Sequence, residues 1–400
     1  MGEEGRQGPP RVLVAQLGPR VGDQVRVCGW VQTLRLQRRM QFVVLRDETG
    51  AVQLTNRREV HPELDEQIDA LTVGSAVALT GRVVDAPQVK LGGIEVLVDS
   101  IDLVSTAEQP LPIADTSNPD LRLDWRFLDL RASRQHLTFK VGDLFEQRMR
   151  SFLLDRGFTE LHTPKLMGAA SESGAEVFRV DYFGSSAYLA QSPQFYKQMA
   201  IAAGFDRVME VGPVFRAEPS FTSRHATEFT GLDLEMAWID SVDDVMRMEE
   251  EMLADAIAGV RDALGKEIGE AFGAELVVPP TPFPRLTLAE AREQLLQAGW
   301  QPGERTSEDL DGEGERMLSK LVADKFGHQF VFVTDYPVSV RPFYHMRPAN
   351  DPAVTSSFDL IWNGLEVTTG AQREHRYDVL VAQAAEKGIA LEPIRHYVNC

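Results

Sequence analysis

The sequence predicts an α+β protein in two parts. A small five-stranded β-barrel comes first, followed by a larger domain with an antiparallel sheet flanked by helices. Three observations predict this. Residues 11–105 hold five short β-prone runs separated by turn signals, with one helical stretch between the third and fourth. Residues 208–239 hold two strands around a polar loop, and Asn363-Gly364 sits between two further β-prone runs, a strong hairpin signal. Several stretches between these carry apolar residues at helical spacing.

Taken in order, residues 1–10 read as a disordered tail. Strands are predicted at Gln24–Gln32, Gln41–Arg46, Ala51–Leu54, Ala76–Val84 and Ile94–Leu103, with a helix near Glu63–Leu71. That order fits an OB-fold barrel over 1–105, though other small barrels share the pattern. On it, Phe42 could stack on a base, Arg35, Arg38 and Arg39 could meet phosphates, and Gln53 could reach a base edge; taken alone, Phe42 reads more readily as core. Residues 106–130, rich in Pro and Asp at their start, read as a hinge linker, leaving 131–400 for the larger domain.

In that domain an amphipathic helix is predicted near Leu137–Asp155, ended by Gly157, and FTELHTPKL follows as a strand ending at Pro164. A Ser/Gly/Ala-rich loop carries Glu172, then Ala187–Ala190 forms a strand and QSPQFYKQ opens a helix. Gln194 and Lys197 are three apart, so both can face one site. Residues 241–325 hold acidic helices, including Val242–Leu264 and Thr287–Ala298, whose charges are expected on a solvated face. Phe330–Val333 suits a buried strand, Glu366 lies on the second strand of the Asn363-Gly364 hairpin, and a helix runs from Glu374 to Lys387. A carboxylate within a strand needs a partner; for Glu366 this is a nearby arginine or a phosphate-bound Mg²⁺.

Composition narrows the function classes. The 400 residues carry a net charge of −19, which argues against a general nucleic-acid binder. Residues 1–60, however, hold ten arginines, no lysine and six acids, a local balance of +4, and docking depends on local charge. No apolar stretch is long enough to span a membrane, and the N-terminus lacks an apolar signal core. The two cysteines, Cys28 and Cys400, can make neither a disulfide framework nor a zinc site, so a cytoplasmic protein is expected.

The stretch Val214–Trp238, VFRAEPSFTSRHATEFTGLDLEMAW, carries the most chemistry. Arg216, Glu218, Arg224 and His225 lie in its loop, and Phe229 offers a ring face. Such a loop is either a solvated surface hairpin or a nucleotide grip, because guanidinium forks bind phosphate and an aromatic ring stacks a base. The stretch resembles motif 2 of the class II aminoacyl-tRNA synthetases, and its wording is similar to the archaeal-type aspartyl enzymes. GWV…R…FVVLRD…G…Q resembles their anticodon-binding domain, the helix and strand ending at Pro164 resemble the dimer-forming motif 1, and GLEVTTGAQREHRYD matches the same family.

The resemblance implies a homodimeric aspartate–tRNA ligase with an OB-fold anticodon domain and a class II catalytic domain interrupted by an insertion at about 241–325. Its implied substrates are ATP, L-aspartate and tRNA(Asp), with tRNA(Asn) left open, and its implied metal is Mg²⁺. ATP would meet Arg216, Ala217, Glu218, Arg224, His225, Ala226, Phe229 and Glu366. Aspartate would meet Glu172, Gln194, Lys197, Arg216, Thr369 and Arg373; Arg216, Glu218 and Arg373 would be catalytic, and Glu366 with Thr369 would hold Mg²⁺. Gln32, Arg35, Phe42 and Gln53 would read the anticodon. Lys197 points to aspartate, because asparaginyl enzymes lack that lysine. Two rivals are an asparaginyl or asparagine synthetase relative and a non-catalytic tRNA-binding paralogue. The resemblance further implies a motif 3 unit beyond Gly388 that the sequence does not contain. The catalytic domain is therefore expected to be incomplete, by truncation or natural loss, and adenylate formation by this chain weak or absent.

Overall fold

The computed structural model describes residues 8–168, 177–218, 226–303 and 308–400. The chain divides into two compact units, Met1–Ala132 and Ser133–Cys400. In the first, β1 (Gln24–Leu36), β2 (Met40–Arg46), β3 (Ala51–Arg57), β4 (Ala76–Asp85) and β5 (Ile94–Ser105) close a barrel in the order β1-β2-β3-β5-β4. Alternate residues point inward, so Val25, Val27, Val43, Leu45, Val52 and Leu54 share one core with Val77, Leu79, Val96 and Val98. A helical turn at Pro62–Leu64 and α1 (Asp65–Asp69) add Leu64 and Ile68 to that core. Gly81 lies at a register shift between β4 and β5, where a Cβ would stand 2.2 Å from the Leu97 carbonyl oxygen. Only a residue without a side chain permits that approach. Where composition suggested a hinge, α2 (Pro119–Asp124) and α3 (Arg126–Asp129) form; Asn118 caps α2 by accepting the Leu121 N–H at 2.8 Å.

The second unit begins with α4 (Ser133–Leu154). The strand expected across FTELHTPKL shrinks to β6 (Thr159–Glu160), with β7 (Leu166–Met167) beyond Pro164. The reason is local: the Thr163 N–H donates to the Glu210 carboxylate at 2.9 Å, leaving the ladder. Next come β8 (Arg179–Tyr182), β9 (Ser185–Leu189), α5 (Gln194–Ala202), β10 (Arg207–Phe215) and β11 (Glu228–Met236). β10 and β11 pair antiparallel from Arg207↔Met236 to Phe215↔Glu228, and β6 joins β10 in parallel. One face of this sheet, with Met209, Leu232, Leu234 and Met236, packs on Phe152, Leu153, Phe158 and Met252. The other carries Glu210, Asp233 and Glu235, which explains the apolar–acidic alternation in the sequence.

The long α6 (Val242–Phe272) starts at a Ser241–Asp244 capping box and ends at left-handed Gly273. It is followed by β12 (Arg285–Thr287), α7 (Leu288–Gln297), α8 (Gly312–Phe326), β13 (Phe330–Thr334), β14 (Ser357–Trp362), β15 (Leu365–Ala371), α9 (Tyr377–Glu386) and α10 (Arg395–Val398). The second sheet runs β12-β13-β14-β15. Asn363 and Gly364 both have positive φ, 50° and 82°, the geometry of the tight turn that joins β14 to β15. The expectation of a solvated face for the acids of 241–325 is corrected at three positions. Glu249, Glu250 and Glu315 are buried, because each accepts a specific donor: the Thr368 hydroxyl, the Phe283 N–H and the Glu366 N–H.

Candidate active site and nucleic-acid face

The first helical turn of α5 places Gln194 and Lys197 against the acidic face of β11. Lys197, 7% exposed, reaches Asp233 Oδ1 at 2.5 Å, the Leu234 carbonyl at 3.2 Å and Glu235 Oε2 at 3.3 Å. Arg373, just after β15, donates Nε to Glu235 Oε1 at 3.1 Å and Nη2 to Gln194 Oε1 at 3.0 Å. Burial opposes the charge on Arg373, but Glu235, together with Tyr344 and Tyr397, offsets it and raises the guanidinium pKa above its ordinary value. Two cations and two carboxylates thus hold one another in place. Sequence reasoning named Gln194, Lys197 and Arg373 but missed their anionic partners, although the acidic alternation of β11 was the available signal. It also missed His345, whose backbone pairs with that of Arg373 in an isolated antiparallel bridge. Burial first, then Arg373, Arg341 and Lys197, hold that imidazole well below its usual range, so it is neutral.

Arg216 follows β10 at the opposite end of the hairpin from Glu235. Its N–H donates to the Thr227 carbonyl at 3.0 Å, and its guanidinium lies 5.5 Å from the centre of the Phe229 ring. Its buried Nε has no hydrogen-bond partner among the described residues. Ala217, Glu218 and Ala226 flank this pair, while Glu172, Arg224 and His225 lie outside the described residues.

A third group forms on β14 and β15. Asp359 pairs with Arg341 at 2.5 Å, and Arg341 also donates to the Thr369 hydroxyl at 3.3 Å. Asp359 Oδ1 is buried with no partner among the described residues. Glu366 reaches solvent at the residue surface, yet protein crowds its carboxyl. That desolvation, then the Asp359 charge, push it up to about 8, with Glu315 and Asp309 adding and Arg341 opposing. Arg341 and Asp359 were not anticipated from sequence.

A cavity of about 890 Å³ runs between β11 and β15, each an edge strand of its sheet. Lys197, Asp233, Glu235, Glu249, Thr368 and Arg373 line it; Arg216, Phe229, Asp359 and Glu366 do not. Glu249 is 5% exposed there, and burial, then the Glu250 and Asp359 charges, push its carboxyl up to about 7 against the Thr368 hydrogen bond. The folded state therefore binds a proton that the unfolded state has lost between pH 4.5 and about 7, and stability falls as pH rises through that window. Glu249→Gln mimics the neutral acid. It is expected to stabilise the protein by roughly 3 kcal/mol at pH 8 and hardly at all at pH 5, read by denaturant unfolding. An equal effect at both pH values would refute the burial argument.

On the barrel, Phe42 is half-buried on the outer face, because its neighbours Val43 and Leu45 take the core positions. Phe42 lies opposite Arg35 on β1 and Thr55 on β3, and Val44 lies opposite Gln53, so Arg35, Phe42 and Gln53 share that face. Gln53 Nε2 donates to Glu95 Oε2 at 2.9 Å, a partner not foreseen from sequence. Gln32 is exposed at the register shift of β1, and Arg38 and Arg39 are exposed in the β1–β2 turn.

Residues 25–104 match the family of OB-fold nucleic acid binding domains, and residues 118–399 match the class II tRNA synthetases (D, K and N). Over 385 residues the chain is 44% identical to the aspartate–tRNA(Asp/Asn) ligase of Methanopyrus kandleri, covering 95% of this chain and 87% of that protein. It is 40% identical to the aspartate–tRNA(Asp) ligase of Thermococcus kodakarensis, over 94% of this chain and 86% of that one. The structure is similar to asparaginyl-tRNA synthetase from Pyrococcus horikoshii complexed with asparaginyl-adenylate, with a TM-score of 0.89 and 31% identity over 98% of this chain and 89% of that one. The first unit is thus an OB-fold domain and the second a class II catalytic domain. The chain belongs to the class II aminoacyl-tRNA synthetases, a family of ligases, and within them to the archaeal-type aspartyl-tRNA synthetases.

Proposed function

We propose that this protein activates L-aspartate with ATP and transfers it to tRNA(Asp). The observation that carries the reading is the largely buried network of Gln194, Arg373, Glu235, Lys197 and Asp233. Aspartate brings two carboxylates and one ammonium; the two cations of the network suit the side-chain carboxylate, its acidic residues suit the ammonium, and Arg216 is left for the reacting carboxylate. Gln194, Lys197 and Arg373 take the side-chain carboxylate, with Thr369 and the loop residue Glu172 closing the site. A neutral amide gains nothing from Lys197, which favours aspartate over asparagine.

The aspartate α-carboxylate then attacks the α-phosphorus of ATP, giving aspartyl-adenylate and pyrophosphate. A terminal ribose hydroxyl of the tRNA next attacks the acyl carbon and releases AMP. Catalysis comes from positioning and charge neutralisation, with no side chain as nucleophile. Arg216, with Nε free of partners among the described residues, bridges the reacting carboxylate and phosphate. Phe229, 38% exposed, stacks adenine. Glu218, Ala217 and Ala226 line the nucleotide or acceptor end, and Arg224 and His225 reach the outer phosphates.

Among the described residues, no cluster of three or more His, Cys, Asp or Glu could hold a metal ion. Hard oxygen donors nonetheless lie on β14 and β15: the unpartnered Asp359 Oδ1, the like-charge-crowded Glu366 and the Thr369 hydroxyl. These residues would hold Mg²⁺, which would neutralise charge on the polyphosphate. On the barrel, Gln32, Arg35, Phe42 and Gln53 read the anticodon. We further propose a cytoplasmic homodimer built on the motif 1 resemblance; no helix among the described residues is long and apolar enough to cross a membrane.

The test is aspartate-dependent exchange between ATP and pyrophosphate, followed by charging of tRNA(Asp) and tRNA(Asn) transcripts in parallel. Aspartate should support exchange and asparagine should not. Charging of tRNA(Asn) with aspartate would assign the broader specificity named for the Methanopyrus relative. Exchange supported by asparagine instead of aspartate would overturn the reading.

A further inference from the structure

The last helix of the described chain reaches into the aspartate site. α10 packs Tyr397 and Val398 into an apolar cluster with Phe195, Phe343, Leu380 and Ile394. The Tyr397 ring stacks on Phe195 of α5, with centroids 4.4 Å apart. For packing alone a phenylalanine would serve. The hydroxyl, however, donates to Gln198 Oε1 at 2.9 Å, and the same oxygen accepts from Gln194 Nε2 at 2.8 Å. Gln194 Oε1 in turn accepts from Arg373 Nη2 at 3.0 Å. Tyr397 also lines the cavity beside Lys197 and Arg373.

This chain fixes amide orientation. An amide presents an acceptor on one side and donors on the other, and its partners choose which. Were Gln198 to turn over, its NH₂ would face the NH₂ of Gln194. Gln194 would then have to turn, directing its own donors at the Arg373 guanidinium, which has no acceptor. Arg373, a donor only, sets the sense of the relay, and the tyrosine hydroxyl, donating to Gln198, anchors its far end and holds both amides in place. We propose that Tyr397 is a positioning residue for amino-acid selection: through Gln198 and Gln194 it sets the guanidinium that receives the aspartate side chain. The inference rests on the aspartate reading of this site.

The test is Tyr397→Phe in the full chain, which keeps the ring stack and removes only the hydroxyl. Equilibrium dialysis with labelled L-aspartate and, separately, labelled ATP gives the two dissociation constants. Aspartate binding should weaken by roughly 3- to 10-fold, the range of one net hydrogen bond, with ATP binding unchanged. Gln198→Ala should weaken aspartate binding similarly, and adding Tyr397→Phe to it should cost little more, because both changes break one relay. Unchanged aspartate affinity in Tyr397→Phe, or parallel losses for aspartate and ATP, would overturn the inference while leaving the aspartate reading intact. Failure of the wild-type chain to bind aspartate would overturn both.

Discussion

Lys197→Leu is expected to raise the KM for aspartate about 10²-fold, with a much smaller change for ATP, because it leaves buried Glu235 and half-buried Asp233 short of a cation. Lys197 is held by Asp233 at 2.5 Å and Glu235 at 3.3 Å, and its side chain is 8% exposed. Removing it leaves Arg373 as the one described cation still bonded to Glu235, and Asp233 loses its ion-pair partner. An incoming aspartate then meets net negative charge instead of a balanced set. An asparagine side chain suffers less, so discrimination between the two amino acids narrows. Pyrophosphate exchange at varied aspartate and varied ATP measures the split, and unfolding curves separate it from a loss of folded protein. Equal increases in both KM values would remove Lys197 from the amino-acid site. The comparison matters because the fold alone does not choose the substrate: an asparaginyl enzyme superposes with a TM-score of 0.89.

The sequence revealed those parts of the fold that depend on local pattern. Barrel strands alternate against one core, and Asn363-Gly364 demands a turn with positive φ, so both were legible. Gln194 and Lys197 were legible as a pair because three-residue spacing on one helical turn fixes their direction. Their partners were not. Asp233 and Glu235 lie on a strand 36 and 38 residues beyond Lys197, and Arg373 lies 138 residues beyond Glu235. Nothing local states that these charges meet; the pairing of β10 with β11 and the approach of β15 decide it. The same holds for Glu249, which reads as one more acid on a solvated helix until the Thr368 hydroxyl of another element is placed against it. α10 escaped notice because four residues are too few for a periodic signal, and only tertiary packing of Tyr397 and Val398 gives it a role.

Arg216→Ala is expected to lower the rate of aspartyl-adenylate formation by roughly 10²- to 10³-fold, the cost of deleting one preorganised donor to developing charge. Arg216 is placed for that task by the end of β10: its N–H is tied to the Thr227 carbonyl, and its guanidinium lies over Phe229. Its buried Nε meets no acceptor among the described residues. A buried donor without a partner costs free energy in the resting protein, and a phosphate or carboxylate arriving there would satisfy it. Arg216→Lys should not rescue the loss. Lysine keeps the charge, but it cannot present two parallel N–H groups to an anion. Single-turnover formation of the adenylate at saturating ATP and aspartate is the decisive measurement, because it reads the chemical step apart from binding. If the lysine variant retains the wild-type rate, the site needs only a positive charge at this position, and the bidentate role fails. If the alanine variant recovers fully at high ATP, Arg216 contributes uniform binding, and the transition-state charge must be met by other groups.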